Sequence, residues 1–296
     1  MVKLEVCMSL KAKDVALKIN SLASLPDVCV KINQLAEDPS ASTNDIKKVI
    51  ETDAALSAKL LQIANSAFFG HSMRVDDLNR AIMLIGTQGL RDLVWAMSSI
   101  STFTDLNKNN IDMRKFWEHA LYTGIAARVL AKKCHIINQD RLFLCGLLHD
   151  IGQLALYQVL PEEMEVTFLR AKENKERLIV AEKNVLGFTH AAVSYGLLKM
   201  WKLPDSICQS IAYHHQPGKC DAYRLEASIV HIADNISKMA GKSGNYVENQ
   251  IRIDPNSWKI TGLTDKILDS VIQICDERYK DAVSVYLPNM GIAPAA

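Results

Sequence analysis

Apolar residues recur every three or four positions along almost the whole of this chain, and runs of β-branched residues are short. This spacing places apolar side chains on one face of an α-helix, whereas a half-buried strand would require strict alternation. Residues 54–67 are an example, because Leu56, Leu60, Leu61 and Ile63 fall on one stripe of a helix. The pattern predicts an all-α fold.

A polar, asparagine-rich stretch over residues 105–112 interrupts the helical pattern, and we expect it to be a linker. Four further residues, 86–89, contain two glycines and are expected to form a loop between two helices. The chain has 296 residues, of which 49% are hydrophobic, so it can bury a substantial core. The linker predicts an N-terminal helical bundle packed on a second helical domain, with boundaries at residues 1–105, 112–240 and a C-terminal helical extension over 241–296.

An adjacent histidine and aspartate, His149 and Asp150, lie inside the apolar octet Gly146–Gln153. Burial of an imidazole and a carboxylate costs free energy unless hydrogen bonds or a bound cation compensate for the lost water. We expect residues 140–160 to form one helix, in which the two side chains point about 100° apart and can still reach a single ion. Other histidines and aspartates recur at the wide spacing that lets several helices of a bundle supply ligands; these are His119, His190, His214, His215 and Asp234.

This donor set suits a divalent transition metal such as Fe, Mn or Zn, and it could hold one or two ions. The alternative is a polar network in the core, in which histidines and aspartates pair with each other without a metal. We interpret His135 and His231 as histidines that do not bind metal.

Charge and cysteine content limit the other classes of function. The 34 basic and 33 acidic residues give a formal net charge of +1, which does not favour binding to nucleic acid or to a membrane surface. Residues 43–65 have the outline of a helix-turn-helix, but the second helix carries only Lys59 as a base, so we expect no DNA binding. The charged run at residues 173–177 is interpreted as solvated surface without a function.

The seven cysteines form no CxxC pair, which is typical of reduced thiols and of a cytoplasmic location. No apolar core follows the first residues, and no apolar run approaches the roughly 18 residues that span a bilayer. We therefore expect neither a signal peptide nor a membrane span.

The order and spacing of these segments resemble a known family over roughly residues 19–240. The similarity is carried by the segments Leu25–Pro26, Ala54–Ala67, Ala81–Gly86, Phe116–His119, Gly146–Gly152, Phe188–His190, Trp201–Pro204 and His214–His215. The chain resembles the HD superfamily of metal-dependent phosphohydrolases and, more specifically, its HDOD branch, the HD-related output domain of bacterial signalling proteins.

The resemblance implies roles for the individual residues. A first metal ion would be held by four of them: His119, His149, Asp150 and Asp234. A second ion or a phosphate group would be held by His190 and His214, and the doublet partner His215 is a further candidate ligand. In active relatives, a metal-bound water attacks phosphorus. The resemblance therefore makes Asp150, His190 and His214 the candidate catalytic residues.

Two departures from the active relatives are visible. Gln153 stands where those relatives commonly carry a lysine, and residues 216–219 lack the Gly-Tyr-Pro signature of the cyclic-di-GMP phosphodiesterases. The resemblance then implies a signal-transduction module of a bacterial cytoplasm that binds a signalling protein partner, with a metal or nucleotide in its HD pocket. The alternative is a metal-dependent phosphohydrolase of weak activity, acting on a nucleotide or cyclic dinucleotide. No receiver or diguanylate-cyclase domain is recognisable, so we expect the input to come from another protein or a small ligand.

Overall fold

The computed structural model describes residues 11–22, 27–38, 40–66, 75, 77–104, 111–244 and 251–287. Within these ranges the regular elements are helices and none is a strand, which confirms the all-α prediction. In chain order the α-helices are α1 (Ala12–Leu22), α2 (Asp27–Glu37), α3 (Thr43–Glu51), α4 (Ala54–Ala64), α5 (Leu78–Thr104), α6 (Met113–Lys133), α7 (Gln139–Leu148), α8 (Ile151–Val159), α9 (Pro161–Glu173), α10 (Leu178–Val185), α11 (His190–Met200), α12 (Asp205–Ala212), α13 (Arg224–Met239), α14 (Pro255–Thr261) and α15 (Leu268–Tyr286). The Leu25–Pro26 motif and residues 105–110 of the expected linker lie outside the described residues.

Helices α2 to α5 pack against one another as an N-terminal bundle. Local signals explain where two of them begin: Ser42 and Asp45 form a reciprocal capping box for α3, and the Asp53 carboxylate caps α4. The break between two helices expected at residues 86–89 is confirmed at Gly86, where α5 has a sharp kink, but the loop is wrong because residues 87–89 are helical. Gly86 has φ +76°, a conformation that glycine adopts without the steric cost that other residues bear.

The second bundle is built around α6, which packs against α7, α13 and α15. Helices α6 and α7 approach closely at two glycines, since a Cβ on Gly146 would lie 2.7 Å from the Thr123 carbonyl oxygen and from Gly124 Cα. Helix α1, although first in the described chain, packs against α8 and α11. One hydrophobic core joins both bundles, through contacts such as that of α5 with α7. The three-part division expected from the sequence stays a prediction.

The helix expected over residues 140–160 is two helices, α7 and α8, separated by a turn at His149 and Asp150. Asp150 leaves the helical conformation with φ −103° and ψ 8°. Two helices, α10 and α14, were not assigned individually from the sequence. Their patterns span only 8 and 7 residues, too short for a periodicity to stand out.

Contrary to our expectation, one segment, Gln139–Val159, is long and apolar enough in composition to cross a bilayer, with a mean hydropathy of 1.3. Of its most apolar window, 83% is buried inside the protein. The turn between α7 and α8 also divides it. Packing in the protein core accounts for its composition.

Candidate metal centre

The structure brings all of the predicted site residues to one place in the second bundle. The elements that supply them are α6 (His119), the turn between α7 and α8 (His149 and Asp150), the first position of α11 (His190), the segment after α12 (His214 and His215) and α13 (Asp234). His215 is half-buried, and the other six residues are at most 3% exposed.

Their donor atoms form two adjacent groups, each with all of its atoms within 4.8 Å of one another. The first group is His119, His149 and Asp234, and the second is Asp150, His190, His214 and His215. Asp150 connects the groups, because its Oδ2 lies 3.0 Å from Nε2 of His149 and its Oδ1 lies 3.1 Å from Nε2 of His190. A single carboxylate therefore bridges both groups.

Backbone carbonyls determine which nitrogen of each ring carries the proton. Nδ1 of His149 lies 2.7 Å from the Gly146 carbonyl, and Nδ1 of His214 lies 2.6 Å from the Ile211 carbonyl. Nδ1 of His119 lies 2.7 Å from the carbonyl of Lys242. Because a carbonyl can only accept, each Nδ1 must donate, and the lone pair of the neutral ring is then on Nε2. The Nε2 atoms face the centre, which is the arrangement that a metal requires.

His190 is oriented by a carboxylate instead, that of Glu182. Both Glu182 carboxylate oxygens lie 2.8 Å from Nδ1 of His190, and one also accepts the His190 backbone N–H at 2.9 Å. Burial by itself lowers the pKa of His190, but Glu182 and Asp150 outweigh it and raise the pKa to about 10. Sequence reasoning missed Glu182. Its signal was an acidic residue on the same face as Leu178 and Ala181, eight positions before a predicted ligand.

Several Nε2 atoms lie close together at the centre of the cluster. The Nε2 atoms of His119 and His149 are 3.3 Å apart, and those of His190 and His215 are 3.1 Å apart. Nε2 of the fully buried His214 makes no hydrogen bond within the described residues. Burial and the neighbouring His149 lower the pKa of His214 to about 3, so its ring stays neutral.

The donor separations fit a metal. Two nitrogens that are each about 2.1 Å from one ion lie roughly 3.0–3.4 Å apart at octahedral or tetrahedral angles. Imidazole nitrogens combined with carboxylate oxygens suit Fe, Mn or Zn. The cluster is therefore a buried His/Asp group that could bind a divalent metal. His231, by contrast, uses both ring nitrogens, since Nδ1 bonds the His214 carbonyl and Nε2 accepts the Asp254 N–H.

A lysine outside the set of predicted site residues, Lys238, also reaches the cluster. Nζ of Lys238 lies 2.9 Å from Oδ2 of Asp234, and the two side chains are only 7% and 3% exposed. Burial would raise the pKa of Asp234, but Lys238 together with His119 and His149 outweighs it, and that pKa lies well below its usual range. The signal for this lysine was the i,i+4 spacing from Asp234 on α13. It brings a positive charge to the site in a chain that has Gln153 in place of the lysine of active relatives.

We expect Lys238→Met to have opposite effects on stability and on metal affinity. Without the ammonium, the buried Asp234 carboxylate has lost a cationic partner, which costs about 3–5 kcal/mol in such pairs. A divalent ion would replace that charge, so the variant should bind Mn²⁺ or Zn²⁺ about tenfold more tightly than the natural protein. Urea unfolding with and without metal, and calorimetric metal titration, measure both effects.

Lys199→Met is the matched control, because Lys199 pairs with Asp205 at the exposed surface. We expect this control to change stability by less than about 1 kcal/mol and to leave metal affinity unchanged. Unchanged or weaker metal binding by Lys238→Met would show that the ammonium does not compete with the ion.

A family model of the HDOD domain matches residues 22–217 of the chain. An uncharacterized protein of Treponema pallidum (strain Nichols) is 28% identical over 227 residues, which are 75% of this chain and 43% of that protein. The chain thus spans less than half the length of this curated relative.

Three solved structures share the fold. An HDOD domain protein of unknown function from Geobacter sulfurreducens superposes with a TM-score of 0.75 at 21% identity, covering 93% of this chain and 98% of its own. A Shewanella amazonensis SB2B protein proposed to be a phosphohydrolase gives 0.71 at 22% identity, covering 94% and 98%. A Marinobacter aquaeolei VT8 protein proposed to act in signal transduction gives 0.70 at 20% identity, covering 90% and 59%. At these identities the similarity shows the fold alone.

Proposed function

This chain belongs to the HDOD family, and we propose that it is a signalling module whose buried His/Asp cluster binds one or two divalent metal ions. The observation that carries the proposal is the orientation of the histidines. Acceptors on the outer side hold Nδ1 of His119, His149, His190 and His214, so their Nε2 atoms converge with the carboxylates of Asp150 and Asp234. Such an array of lone pairs is unfavourable in a dry core unless a cation or protons lie between them.

A bound ion would fix the distances between the elements that supply its ligands, which are α6, the α7–α8 turn, α11, the segment after α12, and α13. Helix α1 packs on α8 and α11, so a change in their separation would be passed to α1. A ligand that favours one arrangement of these helices shifts the population towards it. We propose that a signalling protein partner reads this arrangement; the Marinobacter protein, which shares the fold, is described as a protein of signal transduction.

A second candidate is a metal-dependent phosphohydrolase acting on a nucleotide or cyclic dinucleotide. The observation that favours it is the bridging position of Asp150 between two donor groups. Bound metal would supply a Lewis acid and a water of lowered pKa. His190 and His214 would then contact phosphoryl oxygens, and the ammonium of Lys238 would add positive charge. Gln153 offers only a dipole where active relatives have a lysine, which favours weak or absent turnover.

Metal content measured by plasma mass spectrometry on protein purified without chelator tests the proposal. We expect near-stoichiometric Fe, Mn or Zn in the natural protein, and its loss in His149→Ala. The control is His135→Asn, because His135 lies outside the cluster and has φ +57°, which asparagine tolerates. The loaded protein is then assayed against nucleotides and cyclic dinucleotides.

The outcomes separate the candidates. Metal without turnover supports the signalling module, and turnover that disappears in His149→Ala supports the hydrolase. No metal in folded protein, even after reconstitution, would contradict both and leave the metal-free polar network.

A further inference from the structure

We propose that the cleft between α10, the start of α11 and residues 212–216 binds a phosphorylated organic ligand, and that Arg177 and Lys183 recognise its phosphate. The proposal deepens the function proposed above, because it names the class of ligand that reaches the same centre. It rests on the position of the cleft, on its charge and on its apolar walls.

The cleft has a volume of about 350 Å³ and reaches the metal centre at His215. The other members of the cluster are buried, whereas His215 is half-buried and lines the cleft. Nε2 of His215 lies 3.1 Å from Nε2 of His190. A ligand in the cleft would therefore have one end beside the second donor group while the rest of it remains accessible from solvent.

The charged side chains that line the cleft are basic. Among the residues that line it, Arg177 and Lys183 carry charge, and none is an aspartate or glutamate. Two nearby carboxylates are engaged elsewhere: Glu176 pairs with Arg170 at 2.7 Å, and Glu182 holds His190 in the core. A cleft with cationic groups and low-dielectric walls concentrates anions. A guanidinium and an ammonium are also the side chains that bind phosphate most strongly, the former through paired hydrogen bonds.

The remaining walls favour an organic group on that phosphate. Phe188, Tyr213, Ile179 and Val180 line the cleft, and Val180 is 39% exposed. Exposed apolar and aromatic side chains beside a few polar groups are typical of small-molecule sites. An aromatic ring such as that of Tyr213 can stack on a nucleobase. The combination fits a nucleotide better than inorganic phosphate.

By composition alone, the charged run at residues 173–177 is typical of solvated surface without a function. The last residue of that run, Arg177, instead turns towards the cleft, because α10 begins directly after it. The existence of α10 was missed from the sequence, so the cleft that it borders was not predictable either.

Calorimetric titration of the full chain with adenosine 5′-monophosphate and with inorganic pyrophosphate tests this site. The titrations are done on metal-free and on metal-loaded protein. We expect the nucleotide to bind, and the double variant Arg177→Gln/Lys183→Gln to bind it about tenfold more weakly, with a shallower dependence on salt. The control is Lys172→Gln/Lys280→Gln, which removes the same charge from exposed positions outside the cleft. It should bind like the natural protein.

The proposal is overturned if neither probe binds at millimolar concentration, or if the cleft variant and the control lose affinity equally. If the double variant does not fold, Lys183→Gln alone replaces it, because Lys183 is exposed. The metal content of the cleft variant should equal that of the natural protein, since neither side chain belongs to the donor groups. A protein that holds no metal but binds the nucleotide through Arg177 and Lys183 would contradict the metal proposal and support this one.

Discussion

Replacing Gly152 with alanine is expected to destabilise the protein by about 3 kcal/mol or more and to remove metal from the second donor group. A Cβ at this position would lie 2.1 Å from the His190 carbonyl oxygen and 2.7 Å from the Ser194 backbone nitrogen. Both obstacles are backbone atoms of α11, which cannot rotate away as a side chain can. Helix α11, and His190 with it, would have to move outward by more than 1 Å to reach an ordinary contact distance of about 3.4 Å.

The contact between α8 and α11 is stabilised by hydrogen bonds as well as by close packing. The Gly152 N–H donates to Oγ of Ser194 at 2.9 Å, and that hydroxyl donates to the His149 carbonyl at 3.3 Å. Urea unfolding and metal stoichiometry measure the effect. Gly218→Ala is the control, because a Cβ there meets no atom within 4 Å, and we expect it to change stability by less than about 0.5 kcal/mol. A Gly152→Ala protein with natural stability and full metal content would show that α8 and α11 are not in this contact.

Asp150→Asn is expected to weaken binding at both donor groups together. The Asp150 carboxylate is the group that faces His149 through one oxygen and His190 through the other. An amide of the same size keeps the shape but removes the negative charge and one acceptor oxygen. We expect affinity for Mn²⁺ or Zn²⁺ to fall by more than about 100-fold at both groups, beyond the 10–100-fold typical of outer-shell partners. Calorimetry and metal stoichiometry of the refolded variant are the measurements.

Two further variants make the result specific. His215→Ala removes a donor from the second group alone, so it should reduce the stoichiometry there and leave the first group loaded. Asp205→Asn removes an exposed carboxylate that pairs with Lys199, and we expect no change in metal binding. If Asp150→Asn lost one ion and kept the other, the carboxylate would not bridge the groups.

Local pattern was sufficient to predict the helical fold, and residue type with spacing selected seven candidate site residues that the structure brings together, whose role stays a prediction. The apolar period of a helix is a property of neighbouring residues, so a stretch such as 54–67 could be assigned without knowing its partners. The seven candidate residues were found because a histidine or aspartate in an apolar helix is unusual and because their order matched that of a family. Glu182 was missed because its role depends on His190, which it faces from a neighbouring helix, and Lys238 was missed because only the packing of the bundle buries its i,i+4 pair with Asp234.

The turn at His149 and Asp150 shows why a local pattern was not enough. Residues 140–160 have the periodicity of one long helix, yet the chain divides into α7 and α8 at the pair itself. Gly152 then lies against the backbone of α11, a contact between residues 42 apart in the chain. No sequence window contains that contact, so the interruption could not be predicted from the helix alone.

By itself, the sequence determined that the chain is helical, which residues could carry chemistry, and to which family they point, because these depend on residue type and spacing. The tertiary structure decided the rest: which ring nitrogens face inward, the bridging role of Asp150, the lysine beside Asp234, and the basic cleft at His215. The contacts of Asp150 with His190 and of His119 with the Lys242 carbonyl join residues far apart in the chain at about 3 Å, and the cleft is lined by separate segments of the chain. Lys238 and Asp234 share a helix, but only the packing around that helix buries the pair. Such arrangements are set only when the whole bundle packs.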